Sequence, residues 1–178
     1  MKSSIFDKLP ELFKDEKPND GEEYIQILGR NSNGRSKKYI KRRYVNVVKN
    51  LEVYKIFLPK ASGSGQFGET LTMPSIEGPS VGATETFYSM GLCKSEKEIE
   101  NVLSYIKTKF ARALLSVLKI TQDVNPGKWK YVPLQDFTSS SDIDWSQSVA
   151  NIDKQLYKKY NLSDEEINFI ETNVKEME

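Results

Sequence analysis

The residues with the clearest chemical potential lie between Gly34 and Tyr44, where Arg35, Lys37, Lys38, Lys41, Arg42 and Arg43 are interleaved with Tyr39 and Tyr44. Lysine and arginine neutralise phosphates, arginine can also take a guanine edge through two parallel hydrogen bonds, and tyrosine can bond a phosphate or stack. The same pattern suits a charged edge strand that resists aggregation, so the cations alone leave both roles open. A second stretch, Ser62-Gly63-Ser64-Gly65-Gln66, follows the basic Lys60. Its glycines let main chain and short hydroxyls come close to a ligand. By letter Gly63, Gly65 and Gly68 fit a G-x-G-x-x-G phosphate loop, but no helix is expected after them, and that reading needs one. A flexible hairpin loop is the plainer alternative.

Histidine is absent from the chain. That removes the imidazole of Ser-His-Asp and Cys-His nucleophile systems and any histidine-ligated zinc. The single cysteine, Cys93, excludes an internal disulfide and a cysteine-cluster metal site, and it reads as a packing residue. A magnesium nuclease would need a carboxylate and an acid-x-lysine tripeptide at the ends of neighbouring strands. Only Asp7 with Asp15-Glu16-Lys17 fits by letter, and these residues fall where a helix and a turn are expected.

The net charge of +1 hides a polarity. Residues 21–60 hold ten Lys or Arg against three Glu, a balance of +7, whereas from Pro133 onward ten carboxylates face four lysines, a balance of −6. A locally basic surface attracts phosphate backbones even on a near-neutral molecule. With no apolar run near the roughly 18 residues of a membrane span and no signal peptide, the chain reads as cytoplasmic, with no membrane partner.

The elements that must position these residues can be read in order. Residues 1–21 predict a short amphipathic helix around Ile5, Phe6, Leu9, Leu12 and Phe13 and a junction loop. Strands are expected at Tyr24–Leu28 and at Glu52–Lys60, and between them KKYIKRRYVNVV sets Tyr39, Ile40, Tyr44, Val45, Val47 and Val48 among its cations. ATETFYSM predicts a further strand that puts Thr84, Thr86 and Tyr88 on one face, and WKYVPL a short one. From Ser95 to Lys119 a single long helix is predicted, opened by a Ser95/Glu98 capping box, with Ile99, Val102, Ile106, Phe110 and Ala113 on its buried side. Tyr105, Lys109, Arg112, Ser116 and Lys119 line another face, which carries three cations and no carboxylate. Such a face wants water or an anion. A helix over 143–160 and a last helix opened by Ser163 and Glu166 close the chain. The expected fold is α+β: a mixed or antiparallel sheet from about residue 24 to 90, crossed by the long helix, with a C-terminal helical pair. One domain covers 1–178, with a junction at 1–21, a mainly β DNA-facing part at 22–92 and a mainly helical part at 93–178.

The succession YKIFLPKASGSGQFGETL, GATETFYSMG, EIENVLSYIKTKF, LKITQDV, WKYVPLQDF and QLYKKYNLSDEEINFIE resembles the C-terminal target-recognition domain of bacterial type II restriction-modification enzymes. In these an adenine-specific DNA methyltransferase, often with a nuclease, is fused to its own DNA-reading domain. SYIKTKF (Ser104–Phe110), VPLQDF (Val132–Phe137) and QLYKKYNLSDEE (Gln155–Glu166) are its most specific parts; none is a catalytic motif. The resemblance implies a non-catalytic reader of double-stranded DNA that works with methyltransferase and nuclease domains of the same polypeptide. S-adenosylmethionine, and magnesium where a nuclease is attached, would then belong to the parent enzyme and not to this chain. Asn125-Pro126-Gly127-Lys128 is not the Asn-Pro-Pro-aromatic motif of the methyltransferase, so the chain reads as a piece of a longer polypeptide or a separate subunit. Taken with the basic segment, the resemblance implies that Arg35, Lys37, Lys38, Lys41, Arg42, Arg43 and Lys60 hold phosphates. Ser62, Ser64, Gln66, Thr84 and Thr86 would then face base edges, and Lys107, Lys109 and Arg112 would add backbone contacts. A protein-interaction scaffold built on the acidic helices, within the same complex, is the other role consistent with the chain.

Overall fold

The structure, a computed structural model, describes residues 1–31, 34–46 and 48–177. Ser32 and Asn33 of the expected turn, Val47 and the terminal Glu178 lie outside the described residues. Helices and strands both contribute, and the fold is α+β.

Two three-stranded sheets form in place of one. In the first, β1 (Tyr24–Asn31) pairs antiparallel with β2 (Gly34–Lys41) and parallel with the short β5 (Val81–Ala83). In the second, β3 (Tyr54–Pro59) lies between β4 (Ser75–Glu77) and β6 (Phe87–Cys93), all antiparallel. Leu28, Phe57, Val81 and Phe87 fill the seam between the sheets. The other face of the first sheet, Ile25, Ile27 and Ile40, is covered by Phe6 and Phe13, whose rings meet edge to face at 4.8 Å. These phenylalanines come from a helix shorter than its periodicity predicts. Only Ile5–Lys8 (α1) is α-helical, because Pro10 lacks the amide needed to continue and starts a 3-10 turn.

Two further expectations are corrected. The strand predicted over ATETFYSM begins only at Phe87, since Phe87 N donates to Thr84 O across a turn, so Thr84 and Thr86 precede β6. WKYVPL is not a strand: Pro126–Trp129 is a 3-10 turn, and the chain then runs as a loop held by Tyr105, whose hydroxyl donates to Pro133 O at 2.7 Å.

The long helix is two helices, α2 (Glu96–Lys107) and α3 (Lys109–Leu118). Thr108 leaves the helical region at ψ 146, its hydroxyl donates to Tyr105 O, and the same oxygen accepts from Ala111 N as the cap of α3. Asp153 on α4 (Val149–Lys159) accepts from the next two free amides, Lys109 N at 3.0 Å and Phe110 N at 2.8 Å. The expected α4 start at 143 is late because residues 144–147 turn around the Asp144 carboxylate and Ser148 caps the helix. At Ser95 the serine accepts from Glu98 N as expected, but the glutamate reaches back one residue further, to Lys94 N. The box at Ser163 closes fully and opens α5 (Asp164–Asn173).

Helices α2 and α3 separate two cores. Ile56, Leu58, Ile99, Ile106 and Leu115 tie the second sheet to α2, and Phe110, Trp145, Ile152, Leu156 and Ile170 tie α3 to α4 and α5. Among the described residues, no helix is long and apolar enough to cross a membrane.

Candidate nucleic-acid interface

The register of β1 and β2 decides where the basic side chains go. β5 pairs only with Gln26–Leu28, so beyond Leu28 the hairpin continues as a two-stranded ribbon. On that ribbon Arg30 stands directly opposite Arg35, and opposed residues of an antiparallel pair share a face. Two like charges in this position repel each other, and an anion between them removes the penalty. Arg35 donates to Met73 O at 3.1 Å and lies 5.6 Å from the centre of the Phe87 ring. Arg30 is exposed, and no described residue accepts from it. Arg30 is counted in the basic segment by reasoning from the sequence but is not placed in the DNA-contacting set. Its signal is the pairing register, which charge counting does not contain.

Further along β2 the cations already have partners. Lys37 reaches the buried Glu77 at 2.7 Å, Lys38 reaches Asp15 at 2.8 Å, and Lys41 and Arg43 share Glu22 at 3.0 and 2.8 Å. Hydrogen bonds from Lys41 hold the Glu22 carboxyl below its ordinary value. Arg42 is 3.7 Å from Glu52. The carboxylates of Asp15 and Glu52 are exposed, that of Glu22 is partly so, and such pairs add little stability. A phosphate can therefore replace them at Lys38, Lys41, Arg42 and Arg43, whereas Lys37 is tied to the buried Glu77. Among the described residues no carboxylate lies within salt-bridge reach of Lys60, which is 5.1 Å from the centre of the Tyr88 ring.

The glycine loop is closed upon itself. Ser64 N and Gly65 N donate to the Glu69 carboxylate at 2.7 and 2.8 Å, the Ser64 hydroxyl joins them, and Lys119 is ion-paired with the same group. Burial alone would raise the Glu69 carboxyl, but Lys119 and the loop donors outweigh it and lower it to about 2. Gly63, Gly65 and Gly68 all sit at positive φ. A side chain on Gly65 would run into the main chain of Ile120, and one on Gly68 into Asn173 and Val174. The anion-seeking face of the helix is thus satisfied from within. Lys119 takes Glu69, Lys109 takes Glu171 at 2.6 Å, and Arg112 donates to the carbonyls of Lys107, Glu69 and Lys175.

Three of the expected contact residues are therefore corrected. Arg112 is 1% exposed and spends its guanidinium on main-chain carbonyls; Ser62 and Thr84 are 2% exposed, the former accepting from Thr72 N and the latter bonded to Thr86. These three carry structure and cannot touch a duplex surface. Thr86 and Lys107 are half-buried, and Lys109 is committed to Glu171. Ser64 and Gln66 are exposed. The loop and the ribbon are linked through residues 72 and 73, since Ser62 Oγ accepts from Thr72 N and Met73 O accepts from Arg35. Asp7 lies on α1, and Asp15, in the bend that follows, is paired with Lys38.

Comparison with known protein families, with curated proteins and with solved structures returned no match.

Proposed function

We propose that the chain reads duplex DNA and directs an adenine-specific DNA methyltransferase, or the restriction enzyme containing it, to its site in the cytoplasm. It acts as the non-catalytic part, and S-adenosylmethionine and magnesium belong to the domains it serves. The observation that carries this reading is the Arg30–Arg35 cross-strand pair at the end of a two-stranded ribbon. A ribbon of two strands fits the roughly 12 Å major groove, and opposed arginines suit phosphates on either wall or a guanine edge. Phosphate contacts release counterions, so each lost contact lowers the slope of log affinity against log salt by about one. The double variant Arg30→Ala, Arg35→Ala is expected to reduce that slope by about two while the fold is kept. An unchanged slope, or no duplex binding by either the 178-residue chain or a longer polypeptide carrying it, would sink the proposal.

A second reading, a surface for a protein partner, is favoured by one observation. Phe67 and Phe169 are exposed and pair at 5.4 Å, beside an apolar groove lined by Leu114, Leu162 and Glu165. It is compatible with the first, and a methyltransferase domain retained by the chain but not by the Phe169→Asp variant would support it.

A further inference from the structure

The glycine loop does not act alone. Ser62 N donates to Gln122 O at 2.8 Å, Val124 N donates to Lys60 O at 3.1 Å, and Ala61 bridges Asp123. Gly65 packs against the main chain of Ile120 and Thr121. The segment after α3 and the loop after β3 are therefore one unit, and it presents Ser64, Gln66, Thr121 and Gln122 to solvent. Ile120 stands beside them, 74% exposed.

Gln66 and Gln122 combine exposure with side-chain amides that the fold does not use. Gln135, Gln147 and Gln155 spend their side chains within the fold, on Tyr160, Asp144 and Asp144 N respectively. Gln26 is half-buried on β1, whereas the side chains of Gln66 and Gln122 are exposed and bond to no described residue. We infer that Gln66 and Gln122, on the joined loop and post-helix segment, read base edges in the major groove, with an A·T pair as their ligand. The inference rests on the duplex-binding reading above and names the residues that give it specificity.

A carboxamide donates and accepts side by side, which matches the N7 acceptor and N6 amino donor of adenine. An exposed isoleucine in the same patch suits the thymine methyl. The loop needs no DNA to order it, because its amides are already taken by Glu69 and its glycines are fixed against neighbouring main chain. Contacts from such a preorganised unit are not offset by loop-ordering entropy. Phosphate-holding and base-reading functions are thus divided between the ribbon and this unit, and they can be separated by experiment.

The test is selection from a pool of randomised duplexes with the 178-residue chain, followed by competition between the enriched duplex and versions altered at each pair. The parent is expected to enrich a sequence with a fixed A·T pair. Gln66→Ala and Gln122→Ala each lower the preference for that pair by about tenfold, while affinity for unrelated duplex and its salt slope stay as in the parent. Both side chains are exposed, and a thermal melt checks that the variants fold. Gln122→Glu supplies a second arm and is expected to move the preference towards cytosine. Binding that selects no sequence, or discrimination unaltered in both alanine variants, overturns the inference and leaves the ribbon proposal standing. Failure of the parent to bind any duplex overturns both.

Discussion

Glu69 and Asp153 are the two carboxylates whose surroundings set opposite pH responses. Glu69 is held at about 2 against an ordinary 4.5, so its contribution to stability is complete above pH 4.5 and is lost as the pH falls through 4.5 towards 2. Asp153 is lifted by burial to about 6 from 3.8, an effect that the amides of Phe110 and Lys109 only partly oppose. Its contribution is therefore present below pH 3.8 and is lost as the pH rises through about 6. Urea midpoints measured across pH 3 to 7 test both at once. Glu69→Gln leaves the buried Lys119 without its counter-charge, which costs about 3 kcal/mol at neutral pH, and it flattens the acid limb. Asp153→Asn is expected to be weaker than the parent at low pH, by a margin that shrinks as the pH rises from 3.8 towards about 6 and is constant above it. A constant margin would show that Asp153 does not titrate in that window. Neither carboxylate could be singled out in the sequence. The lysine that meets Glu69 is 50 residues away, and the amides that meet Asp153 are 44 and 43 away, so only the tertiary path brings them together.

At the scale of elements, the break between α2 and α3 shows what periodicity conceals. Apolar residues keep their three- and four-residue spacing straight through Thr108, so the sequence reads as one helix; the kink is made by a threonine that serves both ends and by Asp153 from another helix. Thr108→Ala removes the cap of α3 from a fully buried site and is expected to cost about 1–2 kcal/mol in denaturant unfolding. A loss under about 0.3 kcal/mol would mean that Asp153 alone holds that terminus. Strands β1 and β3, the Ser163 box and most core positions were legible because each is a local pattern, whereas β2 starts earlier than its basic stretch suggests, at Gly34, and ends at Lys41 before a 3-10 turn at Arg42–Tyr44. The division into two sheets was not, since the turn at Thr84–Phe87 that separates β5 from β6 looks like the middle of an alternating strand. For the same reason the basic ribbon was legible as a charged strand, while the arginine pair across it needed the register.

Across the whole molecule, the basic ribbon and the acidic C-terminal helices are joined through the loop that Glu69 closes, with Arg35 reached on one side through Met73 and Val174 touched on the other by Gly68. Duplex binding should therefore fall steeply with salt. It should change less than about twofold between pH 6 and 8.5, because the chain has no imidazole to titrate and lysine and arginine stay charged there. A strong pH dependence in that range, measured by fluorescence anisotropy, would point to a contact other than these cations. The closed loop has a consequence for how such a protein could change its target. Its shape is maintained by Glu69, Lys119, the Ser64 hydroxyl and three glycines, whereas the side chains of Gln66 and Gln122 face out and bond to no described residue. New sequence preferences could accordingly be installed by exchanging those two side chains on an unaltered frame, much as type is reset in a forme.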